Sequence, residues 1–131
     1  MPLYGTAQAG YNPPPNQGLN ITTLEAGQQI MLLNGTEVIV AGSKSVAFSK
    51  GFHDGFNSPV TFNLSGCTLG TVVEIESAGA DVDGDYTVVA TLTPDAGGNQ
   101  QYTITDSSPF MRALVSTFEI GDKPVLTATR L

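Results

Sequence analysis

From Leu19 onward the chain alternates apolar and polar residues in short runs, which turn-forming residues separate. Alternation puts every second side chain on one face of a strand, so these runs predict half-buried β-strands. The predicted strands cover residues 21–25, 29–33, 37–40, 45–49, 60–64, 71–76, 86–92, 101–105, 110–117 and 125–130. The predicted inward-facing sets are Val60/Phe62/Leu64, Val73/Ile75, Val88/Ala90/Leu92 or the residues out of phase with them, Tyr102/Ile104, and Met111/Ala113/Val115.

The residues between these runs are typical of tight turns. Asn34-Gly35 is the strongest short hairpin signal, because both residues tolerate a positive φ, and Asp83-Gly84 is a second turn of this kind. Gly27 argues against a helix over residues 24–33. Short strands about 8–12 residues apart, with no clear helix, predict an all-β fold. We expect an antiparallel β-sandwich, jelly-roll-like, with about seven to nine strands in two packed sheets.

The first eighteen residues differ from the rest, because they have no charged side chain and contain four prolines and three glycines. Pro13, Pro14 and Pro15 favour polyproline II and cannot continue a helix or a central strand. We therefore divide the chain into an extended arm, residues 1–18, and a β-sandwich domain, residues 19–131. Tyr4 and Tyr11 are aromatic anchors that make the arm a candidate interface; the alternative is a frayed terminus.

Charge limits the classes of partner. The net charge is −7, only 13% of residues are charged, and no Lys or Arg occurs between Lys50 and Arg112. Nucleic-acid binding depends on Lys and Arg neutralising phosphates, and an anionic membrane attracts the same basic residues. We expect neither nucleic acid nor a membrane as a partner, and the composition favours a structural or binding protein over an enzyme.

Cysteine usage indicates the compartment in which the chain folds. Cys67 is the single cysteine, so no disulfide can form within one chain. No signal-peptide pattern or membrane-spanning run is visible, which predicts folding in a reducing, cytoplasmic setting. Cys67 itself has the character of a small buried hydrophobe.

One acidic turn is a candidate calcium site. Asp81, Asp83 and Asp85 alternate as do the first, third and fifth ligands of a calcium loop. The pattern then fails, because Tyr86 stands where glycine is needed and Leu92 where a bidentate glutamate is needed. The simpler interpretation is a solvated hairpin turn. We expect no metal or other cofactor and keep these three aspartates as a weak calcium candidate.

The pair His53-Asp54 is the one place where a catalytic dyad fits the sequence. No G-x-S-x-G pattern supplies an activated nucleophile, and one His with one Cys is too few ligands for a metal centre. A surface loop with Phe52 and Phe56 folding back on the sheet explains the segment better. We therefore predict no catalytic residues.

The C-terminal half resembles small β-sandwich modules of tailed-phage virion proteins. The resemblance rests on TVVEIES at residues 71–77, an Asp-Gly turn, YTVVATLT at 86–93, SPFMRALVS at 108–116 and VLTA at 125–128. It covers about half the chain and its motifs are structural. Two departures are Tyr86, where the pattern has Trp, and a shortened motif around Arg112.

The resemblance implies a role on a virus particle, made in the host cytoplasm. One module with an arm is most like a capsid decoration (cement) protein, which binds the major capsid protein on the capsid surface as a homotrimer. The alternatives are a phage tail or fibre protein, and a carbohydrate-binding module that uses Phe52, Phe56 and the acidic turn. A small hydrolase is the third and least favoured class.

Overall fold

The computed structural model describes residues 21–36, 38–51 and 57–131, and within these ranges it contains nine β-strands and no α-helix. A 3₁₀ turn, Asp83–Asp85, lies between the fifth and sixth strands. The strands are β1 (Thr22–Thr23), β2 (Gln29–Leu33), β3 (Phe48–Ser49), β4 (Val60–Ser65), β5 (Val72–Ala78), β6 (Thr87–Leu92), β7 (Gln100–Ile104), β8 (Phe110–Thr117) and β9 (Val125–Arg130).

The strands form two sheets, one in the order β1-β3-β8-β5-β6 and the other in the order β2-β9-β4-β7. Every pairing is antiparallel except the short parallel pair of β1 and β3. Successive strands alternate between the sheets, apart from the β5–β6 hairpin. For β2 to β9 this is the topology of an eight-stranded jelly roll, with β1 added beside β3. The predicted antiparallel, jelly-roll-like sandwich is confirmed.

Apolar side chains from both sheets fill the space between them. The predicted sets Val60/Phe62/Leu64, Val73/Ile75 and Met111/Ala113/Val115 are all at most 2% exposed. Phe48 and Phe62 bring the two sheets into contact, with ring centroids 6.3 Å apart. The alternation in the sequence therefore predicted the inward faces of β4, β5 and β8 correctly.

Two predicted inward residues are half exposed. Val88 is 49% exposed because the β5–β6 register shifts between Ile75 and Glu76, so that Val88 lies opposite the outward-facing Glu76. Tyr102 is 50% exposed although it lies opposite the buried Phe62, because β7 is an edge strand. A bulge and an edge position are tertiary features that alternation alone does not reveal.

The predicted strand over residues 37–40 is wrong, since residues 38–40 form no strand and Glu37 lies outside the described residues. The Asn34 side chain accepts a hydrogen bond from the Thr36 backbone N–H at 3.1 Å, which closes an Asx turn. The chain then crosses to the other sheet, where the Gly42 N–H donates to the Val115 carbonyl at 2.7 Å. β2 pairs with β9, so Asn34-Gly35 begins a crossing and not a hairpin.

Candidate functional site

Several predicted site residues lie outside the described residues. These are the interface candidates of the arm, Tyr4, Tyr11, Pro13, Pro14 and Pro15, and the loop residues Phe52, His53, Asp54 and Phe56. The arm boundary at residue 18 and the interface assignment stay predictions.

The acidic turn lies in the connection between β5 and β6. The Tyr86 hydroxyl donates to Asp81 Oδ1 at 2.7 Å, and Arg112 Nη1 donates to Asp83 Oδ1 at 2.6 Å. Asp85 is exposed within the 3₁₀ turn. Among the described residues no group of three or more His, Cys, Asp or Glu side chains could hold a metal ion. Two of the three carboxylates thus have protein donors, with which a calcium ion would have to compete.

Arg112 is the centre of this arrangement. Its Nε donates to Glu76 Oε1 at 2.8 Å, and its guanidinium lies over the Tyr86 ring, 3.8 Å from the centroid. Burial acts to lower the pKa of Arg112, but the hydrogen bonds to Asp83 and Glu76 raise it above its ordinary value. The hydrogen bond from Arg112, with the nearby charge of Lys44, lowers the pKa of Asp83. Arg112 therefore stays charged. Its hydrogen bond to Asp83 connects the loop after β5 to the outer face of the five-stranded sheet.

A small apolar cluster adjoins Arg112 on the same outer face. Ala78, Tyr86 and Phe110 form it, and Ile21 and Ala47 pack against it. The parallel register of Thr22 with Phe48 places Ile21 beside Ala47. Ile21 therefore lies at the edge of this sheet, beside the residue that follows Val46.

A groove of about 520 Å³, which Val46 helps to line, lies close to Ile21. Residues 31–34, which are the end of the edge strand β2 and the residue after it, line one side. Residues 38–39 and 43–46, in the connection to β3, line the other side. The connection is fastened to β8, since Ser45 N–H donates to the Ala113 carbonyl at 2.9 Å and Lys44 forms a bridge with Leu114. The groove thus lies between the edge strand β2 of one sheet and a segment that is hydrogen-bonded to β8 of the other.

Three of the side chains that line the groove are apolar and exposed to solvent. Met31, Val38 and Val46 are 53%, 94% and 65% exposed. Lys44 is the one charged residue among the described residues that line it. The net charge of the chain is −7, yet none of the described residues that line this groove is a carboxylate that an uncharged apolar segment would desolvate.

A second groove, of about 400 Å³, is polar. Asn63, Asp95, Asn99, Gln100 and Gln101 contribute to its lining. Asp95 Oδ1 already accepts hydrogen bonds from the backbone N–H groups of Gly97 and Asn99, at 2.9 and 3.0 Å. The remaining amides are donors and acceptors suited to a polar ligand.

A buried polar group lies at one end of the sandwich. Lys50 is 1% exposed and its ammonium donates to the Asp106 backbone carbonyl. Burial lowers the pKa of Lys50, while Asp106 acts to raise it. Within the described part of the chain, Asp106 Oδ2 and Arg130 Nε are buried without a hydrogen-bond partner. These residues come from the ends of different strands, and residues 52–56, which are not described, follow Lys50 closely in the sequence.

Sequence reasoning pointed to the acidic turn but missed both grooves and the Lys50 group. The grooves depend on which strands become sheet edges, and Lys50 gave no signal because a lone lysine is normally solvated. The one available signal for the first groove was the number of apolar residues in the range 38–46, which the structure leaves outside any long strand.

No helix in the described ranges has the length and apolar character needed to cross a membrane. Comparison of the chain with protein-family models, with curated proteins and with solved structures gave no match.

Proposed function

We propose that this chain is a structural protein of a tailed-phage virion, of the capsid decoration type, that binds the major capsid protein shell and stabilises it. The observation that carries the proposal is a jelly-roll sandwich preceded by an uncharged arm. Jelly rolls are frequent in viral capsid and lectin domains, so the fold suits this role.

The segments that carry the phage resemblance support this assignment. Three of them contain β5, β6 and β8, which are adjacent in one sheet in the order β8-β5-β6. Arg112, from the SPFMRALVS segment, binds Glu76 of the TVVEIES segment and Asp83 of the turn. These three segments thus form one continuous part of the five-stranded sheet.

The arm supplies the attachment in this proposal. Residues 1–18 carry no charge, and Pro13, Pro14 and Pro15 limit the conformational entropy that is lost on docking. Tyr4 and Tyr11 offer large amphipathic rings. The partners are sister subunits in a homotrimer and the major capsid protein, and many copies on one particle would multiply a weak contact into durable attachment. No step of this role is catalytic.

The test is the composition of purified particles. Phage particles from cells that express the chain are banded on a density gradient, and the ratio of this chain to the major capsid protein is measured by quantitative mass spectrometry. We expect a fixed ratio across the particle band. A chain that stays in the soluble fraction, with none above background in the band, would contradict the proposal.

The amide-lined second groove favours a second candidate, a carbohydrate-binding module. Its test is the melting temperature of the purified protein in the presence of oligosaccharides, since a ligand that binds the native state raises stability by mass action. A rise that disappears in Gln101→Ala would support the lectin role; no rise with any sugar would leave the virion role as the proposal.

A further inference from the structure

We propose that the groove between β2 and residues 38–46 binds the N-terminal arm of a second copy of this chain. The inference rests on the proposed function in taking the arm as a tether, and it identifies the surface that receives the tether.

One edge of β2 is not paired with any of the described strands. β2 lies at the end of its sheet and is paired with β9 alone among the described strands. The residues on the other side of the groove direct their hydrogen bonds elsewhere: the Val40 N–H donates to Ser43 Oγ at 3.0 Å, and the Val115 N–H donates to the Ser43 carbonyl at 2.8 Å. An open strand edge of this kind is a template for an added strand.

The arm contains one segment that fits this edge. Pro2 and Pro13 bracket a stretch without proline, residues 3–12, that is long enough to pair with the five residues of β2. Proline cannot donate to a β ladder, so pairing has to lie between these two positions. Leu3, Tyr4 and Tyr11 then supply apolar side chains for the groove.

Charge and polarity agree with this occupant. All of the net charge of −7 is carried by residues 19–131, so two sandwich domains repel each other, whereas the arm is uncharged. The described groove residues include a single charge, Lys44, and three exposed apolar side chains, Met31, Val38 and Val46. An uncharged segment with aromatic side chains is the part of a second copy that this surface accepts.

The length of the arm favours a second copy over the chain's own groove. Tyr11 is ten residues and Tyr4 seventeen residues before Ile21, which in extended chain corresponds to about 31–36 Å and about 53–61 Å. A domain of about 110 residues has a radius of gyration of about 13 Å. Ile21 lies beside Ala47, next to the chain's own groove. An arm that the proline triplet keeps extended would therefore place both tyrosines beyond that groove, within reach of a neighbouring copy.

Disulfide trapping in the purified full chain tests the contact directly. In a Cys67→Ala background, one preparation carries Thr6→Cys in the arm and another carries Val46→Cys at the groove. The two are mixed in a redox buffer, so that a mixed disulfide can form only between copies. We expect several times more heterodimer than when Thr6→Cys is mixed with Val88→Cys, a half-exposed position on the far edge strand β6.

Surface substitutions provide the second measurement. Val38→Glu changes a residue that is 94% exposed, so the fold should remain intact and its melting temperature close to that of the parent. Sedimentation velocity over a concentration series should show self-association of the parent and of Val88→Glu. Association should be weakened in Val38→Glu and lost when residues 2–16 are deleted.

Equal trapping at Val46 and Val88 would overturn the inference. A further preparation carries Thr6→Cys and Val46→Cys in the same chain. If a disulfide forms within this chain but not between the two mixed preparations, the inference is also overturned, because the arm would then occupy its own groove. Neither experiment uses phage particles, so their results do not depend on the proposed role in a virion. A chain that is absent from virions yet gives the Thr6–Val46 heterodimer would refute the proposed function alone.

Discussion

Arg112 Nε donates to Glu76 Oε1 at 2.8 Å across the neighbouring strands β8 and β5, on the outer face of the sheet. The two side chains are 9% and 10% exposed, so an ion pair is nearly buried on a face that alternation marks as solvent-facing. The Tyr86 ring and the loop that carries Asp83 exclude water from it. The outer face of β5 and β8 is therefore built as a second small packing layer.

Removing one partner of this pair should be strongly destabilising. Arg112→Met leaves the buried Glu76 carboxylate without its cation, which we expect to cost about 3–5 kcal/mol in the free energy of unfolding. The measurement is urea denaturation at pH 7. Asp83→Asn is the control, because the Asp83 side chain is 79% exposed and its variant should unfold close to the parent.

The double variant Glu76→Leu/Arg112→Met should recover most of that loss. Replacing a buried ion pair by apolar side chains of similar volume is often neutral or stabilising. If the double variant is as unstable as Arg112→Met alone, the cost lies in the lost contact with Tyr86 and not in an unpaired carboxylate.

Asp122 should make stability depend on acid pH. It is 7% exposed, and its carboxylate accepts hydrogen bonds from the backbone N–H groups of Leu69 and Thr71 at 2.9 and 3.0 Å. Burial acts to raise the pKa of Asp122, but these hydrogen bonds and the one with the Thr71 side chain lower it overall. A lowered folded pKa means that the contribution is complete above the unfolded value of about 3.9 and is lost as the pH falls below it.

We therefore expect Asp122→Asn to lower the free energy of unfolding by about 1.5–3 kcal/mol at pH 7. The difference from the parent should shrink as the pH falls below about 4, where Asp122 of the parent becomes protonated. Asp85→Asn, at an exposed position, is the matched control. A difference that is constant over this pH range would show that the carboxylate charge contributes nothing.

Cys67 should be unreactive in the native protein. Its side chain is 1% exposed, and burial, with the charge of Asp122, raises the pKa of the thiol to about 11. A thiol reagent at pH 8 should label it only after unfolding, because the thiolate is the reactive form. Rapid labelling without denaturant would mean that the end of β4 opens readily.

Calcium should leave stability unchanged. Asp81 accepts a hydrogen bond from the Tyr86 hydroxyl, and Asp83 accepts one from Arg112. A calcium ion that binds here would have to break both hydrogen bonds. We expect the same melting temperature with millimolar calcium as with a chelator. A rise of several degrees, abolished in Asp85→Asn, would establish a calcium site at this turn.

The sequence predicted the sandwich and its inner faces because alternation reports directly on burial in a two-layer sheet. The inward-facing positions of β4, β5 and β8 follow it, as Phe62, Ile75 and Ala113 show. The turn at Asn34-Gly35 misled the prediction, because its local conformation fits a hairpin and also a crossing between sheets. Which of these forms is decided by the distant strand β9, which pairs with β2.

The candidate site was less accessible to sequence analysis. Asp81 and Asp83 attracted attention as a ligand pattern, yet their partner Arg112 lies far along the chain, and only the fold brings them together. The groove has no motif, since it arises from the open edge of β2 and the connection held against β8. Pairing across long sequence separations is the information that local patterns lack.

The central claim is that the folded sandwich needs its arm, through contacts with sister subunits or with the shell, to stay on a particle. The number of copies bound per particle tests this claim most directly. Purified full-length protein and a variant lacking residues 2–16 are each incubated with particles free of this chain, and the copies bound per particle are measured after sedimentation. We expect the truncated protein to melt like the parent and to bind at a small fraction of parental occupancy. Parental occupancy by the truncated protein would contradict the account and would place attachment on the sandwich itself.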